Sequence, residues 1–357
     1  MQNECVYETD RLSMITSSAL WAKLKRNTAG QVIGWHSLMG HSADVAAVVE
    51  TLLIQPTIRR RLATAAGRSD LDEVTRTRLC ALAFLHDIGK ANRGFRARVN
   101  AQAPPVGHID QLAWVFFGNG LAARVREHLV EVLGLQRLFA WCPEGAEGLF
   151  HAVFAHHGRP WRTEALPPYQ QFWDRGPDGD PVSDLQPMRD ALDRWFALAF
   201  EDGLPLPTTP AFHHHYAGLL MLADWLGSDE RFFPFANGSD TDRMRFARAQ
   251  SATALATVGL AAERTRAALP QAFSFQSAFS VDEPRPIQVE TALPEARILI
   301  LESETGSGKT EAALWRFASL FKRRAVDGLY FALPTRVAAT QMFERVKSVI
   351  RRAILTP

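Results

Sequence analysis

The sequence predicts a mainly α-helical protein that runs into an incomplete α/β segment built around a phosphate loop. Three observations predict this. Up to about residue 290, apolar residues recur at helical spacing, and no stretch reads convincingly as a strand. Beyond it, two short apolar runs, Arg297-Ile298-Leu299-Ile300-Leu301 and Gly328-Leu329-Tyr330-Phe331-Ala332-Leu333, enclose one helical pattern, as buried parallel strands of a βαβ unit would. A glycine-rich turn sits between the first run and that helix.

Taken in order, residues 41–66 read as one helix, with Val45, Val48, Val49 and Leu52 on a common face. A second helix spans 73–87 and leads through Leu79, Leu82 and Leu85 into His86-Asp87-Ile88-Gly89-Lys90. A loop rich in Arg, Gly and Pro follows to about 107. Further helices are expected at 108–118, 121–136, 146–157, 187–201, 211–227 and 241–268, with a Pro/Gly/Asp loop over 167–180. No internal repeat is visible. The organisation expected is a helical domain over 1–235, a helical connector over 236–285 and the opening of an α/β domain over 286–357.

Composition excludes several classes. Cys5, Cys80 and Cys142 are far apart and form no C-x-x-C pair, so neither a disulfide framework nor a cysteine zinc site is indicated, and a reducing cytoplasm is favoured. The opening MQNECVYETD lacks the basic-then-apolar order of a signal peptide, and no apolar run reaches the ~18 residues of a membrane span. The formal net charge is +2, but residues 309–357 hold ten Lys and Arg against three Asp and Glu. That balance of +7, against −5 for the rest, suits a polyanion such as nucleic acid. Solvated helix ends at Lys322-Arg323-Arg324 and Arg351-Arg352 are the plainer alternative.

The histidines and aspartates carry the chemistry. His86-Asp87 ends an apolar helix, with Gly89 as a natural stop, and side chains about 100° apart on a helix can serve different ions or bridge a pair. His41 opens the first periodic helix. His156-His157-Gly158 closes another. Asp224 lies in the apolar run Leu222-Ala223-Asp224-Trp225-Leu226, where a carboxylate without a partner costs several kcal/mol. Neutral imidazole and carboxylate together suit divalent transition ions.

This order, H…HD…H…HH…D on successive helices, resembles the HD phosphohydrolase superfamily. The forms His86-Asp87-Ile88-Gly89-Lys90, His156-His157-Gly158 and Ala223-Asp224-Trp225 resemble one branch of it, the CRISPR-associated HD-nuclease/helicase of type I systems. The resemblance implies an HD-domain helical bundle over 1–235, followed by the first part of a RecA-like superfamily 2 helicase domain. By position it implies a first metal held by His41, His86, Asp87 and Asp224. A second would be held by His108, His156 and His157 with Asp87 bridging, and Lys90 would lie against the scissile phosphate. His128 competes with His108 for the second metal. His36 and His151 are weaker candidates for ligands, and His213-His214-His215 reads as a polar helix start or a substrate contact.

Ser303-Glu304-Thr305-Gly306-Ser307-Gly308-Lys309-Thr310 has the context of a P-loop: backbone N–H groups cradle phosphates, Lys309 reaches their oxygens and Thr310 binds magnesium. Ser303 departs from the strict glycine, as superfamily 2 helicases allow. Pro284-Arg285-Pro286-Ile287-Gln288 resembles the helicase element whose glutamine reads adenine, with Phe279 as a stacking neighbour. Pro334-Thr335-Arg336 resembles the motif that touches the DNA backbone, although Thr335 also suits a helix cap. No acidic magnesium-binding strand or arginine finger follows before Pro357, so ATP with magnesium is expected only in a full-length helicase. ATPase and unwinding activity are not expected of this chain alone.

The expected function is therefore a metal-dependent endonuclease cutting single-stranded DNA in CRISPR interference. It would use two ions drawn from manganese, iron, cobalt or nickel and be recruited to a Cascade-type surveillance complex. The rival readings are an HD nucleotide phosphohydrolase and a truncated, non-catalytic docking protein.

Overall fold

The computed structural model describes residues 19–143, 146–159, 167, 169–236, 243–269, 274–293 and 296–355. The chain divides into two compact units, Met1–Ala254 and Leu255–Pro357. Cys5 lies outside the described residues; Cys80 and Cys142 are buried and not in a disulfide.

The first unit opens with a hairpin that the sequence reading did not anticipate. Strand β1 (Trp21–Arg26) pairs antiparallel with β2 (Val32–Ser37), with register irregularities at Trp21/Lys23 and Lys25/Arg26. Such shifts break strict two-residue alternation, the signal by which a strand is read. β2 feeds straight into helix α1 (Leu38–Ile54), whose first turn is capped by Ser37 Oγ accepting from the Gly40 amide at 3.0 Å. Thirteen of the 17 residues of α1 are buried, so it is the central helix of the bundle. Val45, Val48, Val49, Leu52 and Leu53 are almost fully buried, each contributing about 1.5–3 kcal/mol.

The expected helix over 41–66 is two helices. Pro56 starts α2 (Pro56–Ala65), and Gln55 between them is extended, as a residue before proline prefers. Helix α3 (Glu73–Phe84) is capped by Asp72 and packs on α1. Next come α4 (Ile109–Phe117), α5 (Leu121–Leu133), α6 (Ala146–Phe154), α7 (Gln186–Trp195) and α8 (Pro210–Gly227). The expected helix over 187–201 stops at Trp195 and continues only as a 3-10 turn over Ala197–Phe200. Arg78 of α3, buried, explains what holds that turn: it donates to the carbonyls of Ala199, Glu201 and Leu204 at 2.8–2.9 Å. α8 packs across α1 and α6, and its Tyr216 hydroxyl donates to Leu79 O of α3 at 2.7 Å.

Helix α9 (Arg243–Thr257) carries the last fixed point of the first unit. Arg243 donates twice to the fully buried Asp44 of α1, at 2.8 and 2.6 Å, and His36 Nε2 lies 2.9 Å from the same carboxylate. The helix expected over 241–268 breaks at Gly259, whose φ of 78° ends the run before α10 (Ala262–Ala267).

The second unit contains α10, α11 (Pro286–Ala292), α12 (Lys309–Lys322) and α13 (Arg336–Leu355). The two expected strands are not formed: 297–301 and 328–333 pair with nothing among the described residues. Ile298, Ile300 and Tyr330 are more than four-fifths exposed. A strand exists only through the ladder to its neighbour, and these runs have none here. The strand–helix–strand order of the βαβ pattern therefore survives as two unpaired runs around α12. No helix among the described residues is long and apolar enough to cross a membrane.

Removing Arg243 would strand the Asp44 carboxylate in the core. Arg243→Ala is expected to cost about 3–5 kcal/mol of stability, read as a lowered midpoint in urea denaturation.

Candidate metal centre

Five chain segments meet at one point, and each brings its donor from a helix end or the turn beside it. His41 is in the first turn of α1. His86 and Asp87 fall in the turn just beyond α3, and Lys90 in the 3-10 turn Ile88–Ala91 that follows. His108 is the N-cap residue of α4. His156 and His157 occupy the 3-10 turn after α6, and Asp224 is in the last turn of α8.

Asp87 lies at the middle. Its Oδ2 is 3.2 Å from His41 Nε2 and 3.3 Å from His86 Nε2; its Oδ1 is 3.0 Å from His108 Nε2 and 3.5 Å from His156 Nε2. Asp224 Oδ1 closes the first side, 3.2 Å from His41 Nε2 and 3.8 Å from His86 Nε2. His157 Nε2 closes the second, 3.2 Å from His108 Nε2. His41, His86, Asp87 and His156 are almost wholly buried, whereas His157 is exposed.

Gly89 is not the helix stop that its place in the sequence suggests, since α3 already ends at Phe84. It is instead the residue over which the His108 backbone passes: a Cβ there would run into the His108 carbonyl. Only glycine permits that approach, so Gly89 sets the distance between the His86-Asp87 turn and α4.

Two imidazoles have their free nitrogen defined by the backbone. His86 Nδ1 donates to Ala83 O and His156 Nδ1 to Val153 O, both at 2.7 Å, so Nε2 of each, turned toward Asp87, is the nitrogen that can ligate when the ring is neutral. Those Nε2 atoms, both nitrogens of His41 and Asp87 Oδ1 are buried without an aligned hydrogen bond. Such a set is costly unless something else binds it. Divalent ions fit. Two donors on one ion at about 2.1 Å lie no more than ~4.2 Å apart, and the nitrogen–oxygen separations above fall within that limit. His41, His86 and Asp224 form one set with all ligand atoms within 4.8 Å of one another; His108, His156 and His157 form another, and Asp87 groups with His86 and His156.

Electrostatics follow from the crowding. Burial would lower the His86 imidazole, but Asp87 and Asp224 outweigh it and raise it to about 9. Burial pushes His108 down to about 4 against the pull of Asp87, and it likewise lowers His41. Burial would raise Asp87 and Asp224. Lys90, His86 and His108 hold the first well below the carboxylate range; His41 and His86 hold the second there.

The residues named from the sequence divide cleanly. His41, His86, Asp87, His108, His156, His157 and Asp224 converge, and Lys90 Nζ sits 2.5 Å from Asp87 Oδ2. His128 does not join them; it is on α5 and belongs to none of the clustered donor sets among the described residues. His36 is spent on Asp44, and His151 stacks on Phe117 at 4.7 Å. His213 and His214 line a separate cavity with Met221. Two residues were missed. Ser228 Oγ donates to Asp224 Oδ1 at 3.2 Å. Lys23, on the unanticipated β1, feels the charges of Asp224, Lys90 and Asp87, and burial lowers its pKa. Lys23 carried no motif by which to find it; Ser228, four residues after Asp224, was legible only as a helix neighbour.

In the second unit, Thr305, Gly306, Gly308, Lys309 and Thr310 line one cavity with Phe279 and Gln288; Ser307, within the same loop, has a buried hydroxyl without a partner. Lys309 Nζ donates to Ser303 O and Glu304 O at 2.7 Å. The Gln288 amide is spent on backbone at both ends: Oε1 accepts from Arg285 N at 2.8 Å and Nε2 donates to Gly308 O at 3.2 Å. Gly308 has a φ of 89° and a Cβ there would strike Gln288, so the loop needs glycine on both grounds. Thr335 Oγ1 caps α13, accepting from Ala338 N at 3.2 Å.

A helical bundle that gathers histidines and a shared aspartate from its helix ends defines an HD-type domain. A family model described as the HD domain of Cas3 matches residues 21–233, and this chain belongs to that family. It is 29% identical over 355 residues to the CRISPR-associated endonuclease/helicase Cas3 of Thermus thermophilus, covering 94% of this chain and 36% of that protein. It is 26% identical over 297 residues to the CRISPR-associated nuclease/helicase Cas3 of Streptococcus thermophilus, covering 74% and 31%. The chain thus spans about a third of the length of these relatives. A crystal structure described as a CRISPR-associated protein superposes with a TM-score of 0.64 at 23% identity, covering 97% of this chain and 38% of that one, so the likeness of fold runs through both units.

Protons and metal compete for the same lone pairs. With His86 raised to about 9, it is protonated at neutral pH and must give up that proton to ligate. Affinity for manganese should therefore tighten about tenfold per pH unit from neutrality toward pH 9, where the dependence flattens. Calorimetric titration in buffers of different ionisation enthalpy should show about one proton released per chain at neutral pH.

Proposed function

We propose that this chain is the metal-dependent nuclease part of a CRISPR nuclease–helicase, and that it cuts single-stranded DNA. The observation that supports this most is the Asp87 carboxylate, whose two oxygens face two separate sets of imidazoles. In this reading His41, His86, Asp87 and Asp224 hold one divalent ion, and His108, His156 and His157 hold a second with Asp87 bridging. When bound, the two ions would offset charge developing on a phosphodiester and lower the pKa of an attacking water. Mixed imidazole and carboxylate donors accept manganese, iron, cobalt or nickel, and availability decides among them.

The protein's own groups do the rest. Asp87 and Asp224 remain ionised, because neighbouring cations outweigh burial. The backbone carbonyls of Ala83 and Val153 keep His86 and His156 in the ligating tautomer. Lys90, 2.5 Å from Asp87 Oδ2, is within reach of a phosphate that displaces it from that carboxylate. The centre is recessed, with His41, His86 and Asp87 out of contact with solvent and His157 at its mouth. A flexible single strand can enter such a site; a stiff duplex cannot.

Residues 1–235 would then be the nuclease domain, 236–285 a helical connector and 286–357 the first part of a RecA-like helicase domain. Its loop, Thr305 to Thr310 with Gln288, would bind ATP and magnesium in the complete motor. In this reading the chain is recruited in the cytoplasm to a CRISPR surveillance complex of the Cascade type; the names of the relatives support the CRISPR association alone.

Circular single-stranded DNA should be nicked by this chain with manganese and without ATP, and chelation should stop it. Asp87→Ala should lower the rate by about a hundredfold or more, since even outer partners of metal ligands cost 10–100-fold. Near-normal cutting by that variant would sink the assignment. Hydrolysis of deoxynucleoside triphosphates faster than of DNA would put a nucleotide phosphohydrolase in its place.

A further inference from the structure

A groove of about 590 Å³ lies between β1 and the segment 95–105, and the metal chemistry leaves it without a role. Two of its lining residues touch groups of the metal centre. Phe95, on its wall, stands edge-on to His108 at 5.5 Å between ring centroids and has the Lys90 ammonium 5.7 Å from its ring. Ser228, on its floor, donates to Asp224.

The charges lining it are one-sided. Lys23, Arg26 and Arg98 face a single acid, Glu230, and that carboxylate is already taken by Lys25 at 2.7 Å. Arg26 is structural: it donates to the carbonyls of Gly30, Arg98 and Val99 and so fastens the 95–100 segment to the hairpin. Lys23 and Arg98 differ. Neither has a carboxylate or carbonyl partner among the described residues, and Arg98 only overlies Phe95 at 4.8 Å. Lys23 is half-buried, and although it lies in the field of Asp224 and Asp87 no carboxylate among the described residues comes within ion-pair distance of its ammonium. Two unpaired cations, one at the metal centre and one farther along the same groove, match an anion that repeats along a chain.

We propose that this groove holds the DNA strand next to the scissile phosphate, with Lys23 and Arg98 each contacting a phosphate of the backbone. The inference rests on the nuclease reading and adds to it the path by which the strand leaves the metal centre. Because phosphates alone are contacted, the groove is indifferent to base sequence.

The test is binding, measured apart from cutting. Fluorescence anisotropy of a labelled oligothymidylate, with chelator present, should show each of Lys23→Ala and Arg98→Ala binding several-fold more weakly than wild type. The slope of log affinity against log salt should fall by about 0.7 for each cation removed. Lys23→Arg should restore most of the affinity and slope, and manganese content and melting temperature should match wild type in all three. Wild-type affinity and slope in both alanine variants would overturn the proposal. So would a loss in Lys23→Ala that comes with lost manganese and is not rescued by arginine, since that marks a structural support. A chain that binds through these cations but fails to nick DNA keeps the groove and loses the nuclease reading. A chain that nicks DNA with both variants at full affinity does the reverse.

Discussion

The Asp87 carboxylate is held out of water between two groups of imidazoles, and much of the first unit exists to make that tolerable. An isolated buried carboxylate would take up a proton or unfold its surroundings. Here Lys90, His86 and His108 keep it ionised, and the neighbouring lone pairs have no other use. The arrangement depends on short, rigid links. His86 and Asp87 sit in the turn immediately beyond α3, and Gly89 lets the start of α4 press against the turn that follows, so that two segments meet at one carboxylate.

The scaffold explains why the donors come from helix ends. A residue in mid-helix on the central α1 packs among apolar side chains, whereas a first-turn residue such as His41 reaches past the end of that packing to the buried Asp87 and Asp224. The hairpin β1–β2 sets where that first turn begins, because Ser37 is at once the last residue of β2 and the cap of α1. A second polar network steadies the same place: Asp44, one turn along α1, joins His36 and Arg243, and His36 lies edge-on to His41 with centroids 6.2 Å apart. Two adjacent buried polar clusters thus share one helix. The inner one is closed by its own ion pair; the other has donors to spare.

How far the sequence could be read follows from which signals were local. The helices and the converging His and Asp residues were legible because each stands at the end of an apolar run, a pattern of a dozen residues. His108 and His128 could not be separated that way. Both stand near the boundary or face of a helix, and only the passage of α4 over Gly89 selects the first. The hairpin escaped notice because its irregular register removes alternation. With it went Lys23, whose importance comes from what β1 lies beside. The break at Pro56 is legible in the proline itself, although the helical spacing of apolar residues runs on through it. The runs at 297–301 and 328–333 carry strong strand composition, yet strand character belongs to a pair of segments, and neither run has a partner here.

The two sets of candidate metal donors are not equivalent, and that asymmetry bears on how a substrate would reach them. His41 and His86 are sealed beneath the bundle, whereas the other set ends in the exposed His157 and has Phe95 and the groove of Lys23 and Arg98 beside His108. Anything entering from solvent therefore meets the second set first and reaches the sealed set only by way of the atoms they share, the oxygens of Asp87, or along Asp224, which is itself partly exposed. Lys90 stands at that same junction, bonded to Asp87 Oδ2 and lying against the Phe95 ring. In the proposed reading an incoming phosphate would take Lys90 from Asp87 without disturbing any helix, because the lysine has a long flexible stem and already borders both the carboxylate and Phe95 of the groove. In that reading the rigid donors would hold position while the flexible cation follows the substrate.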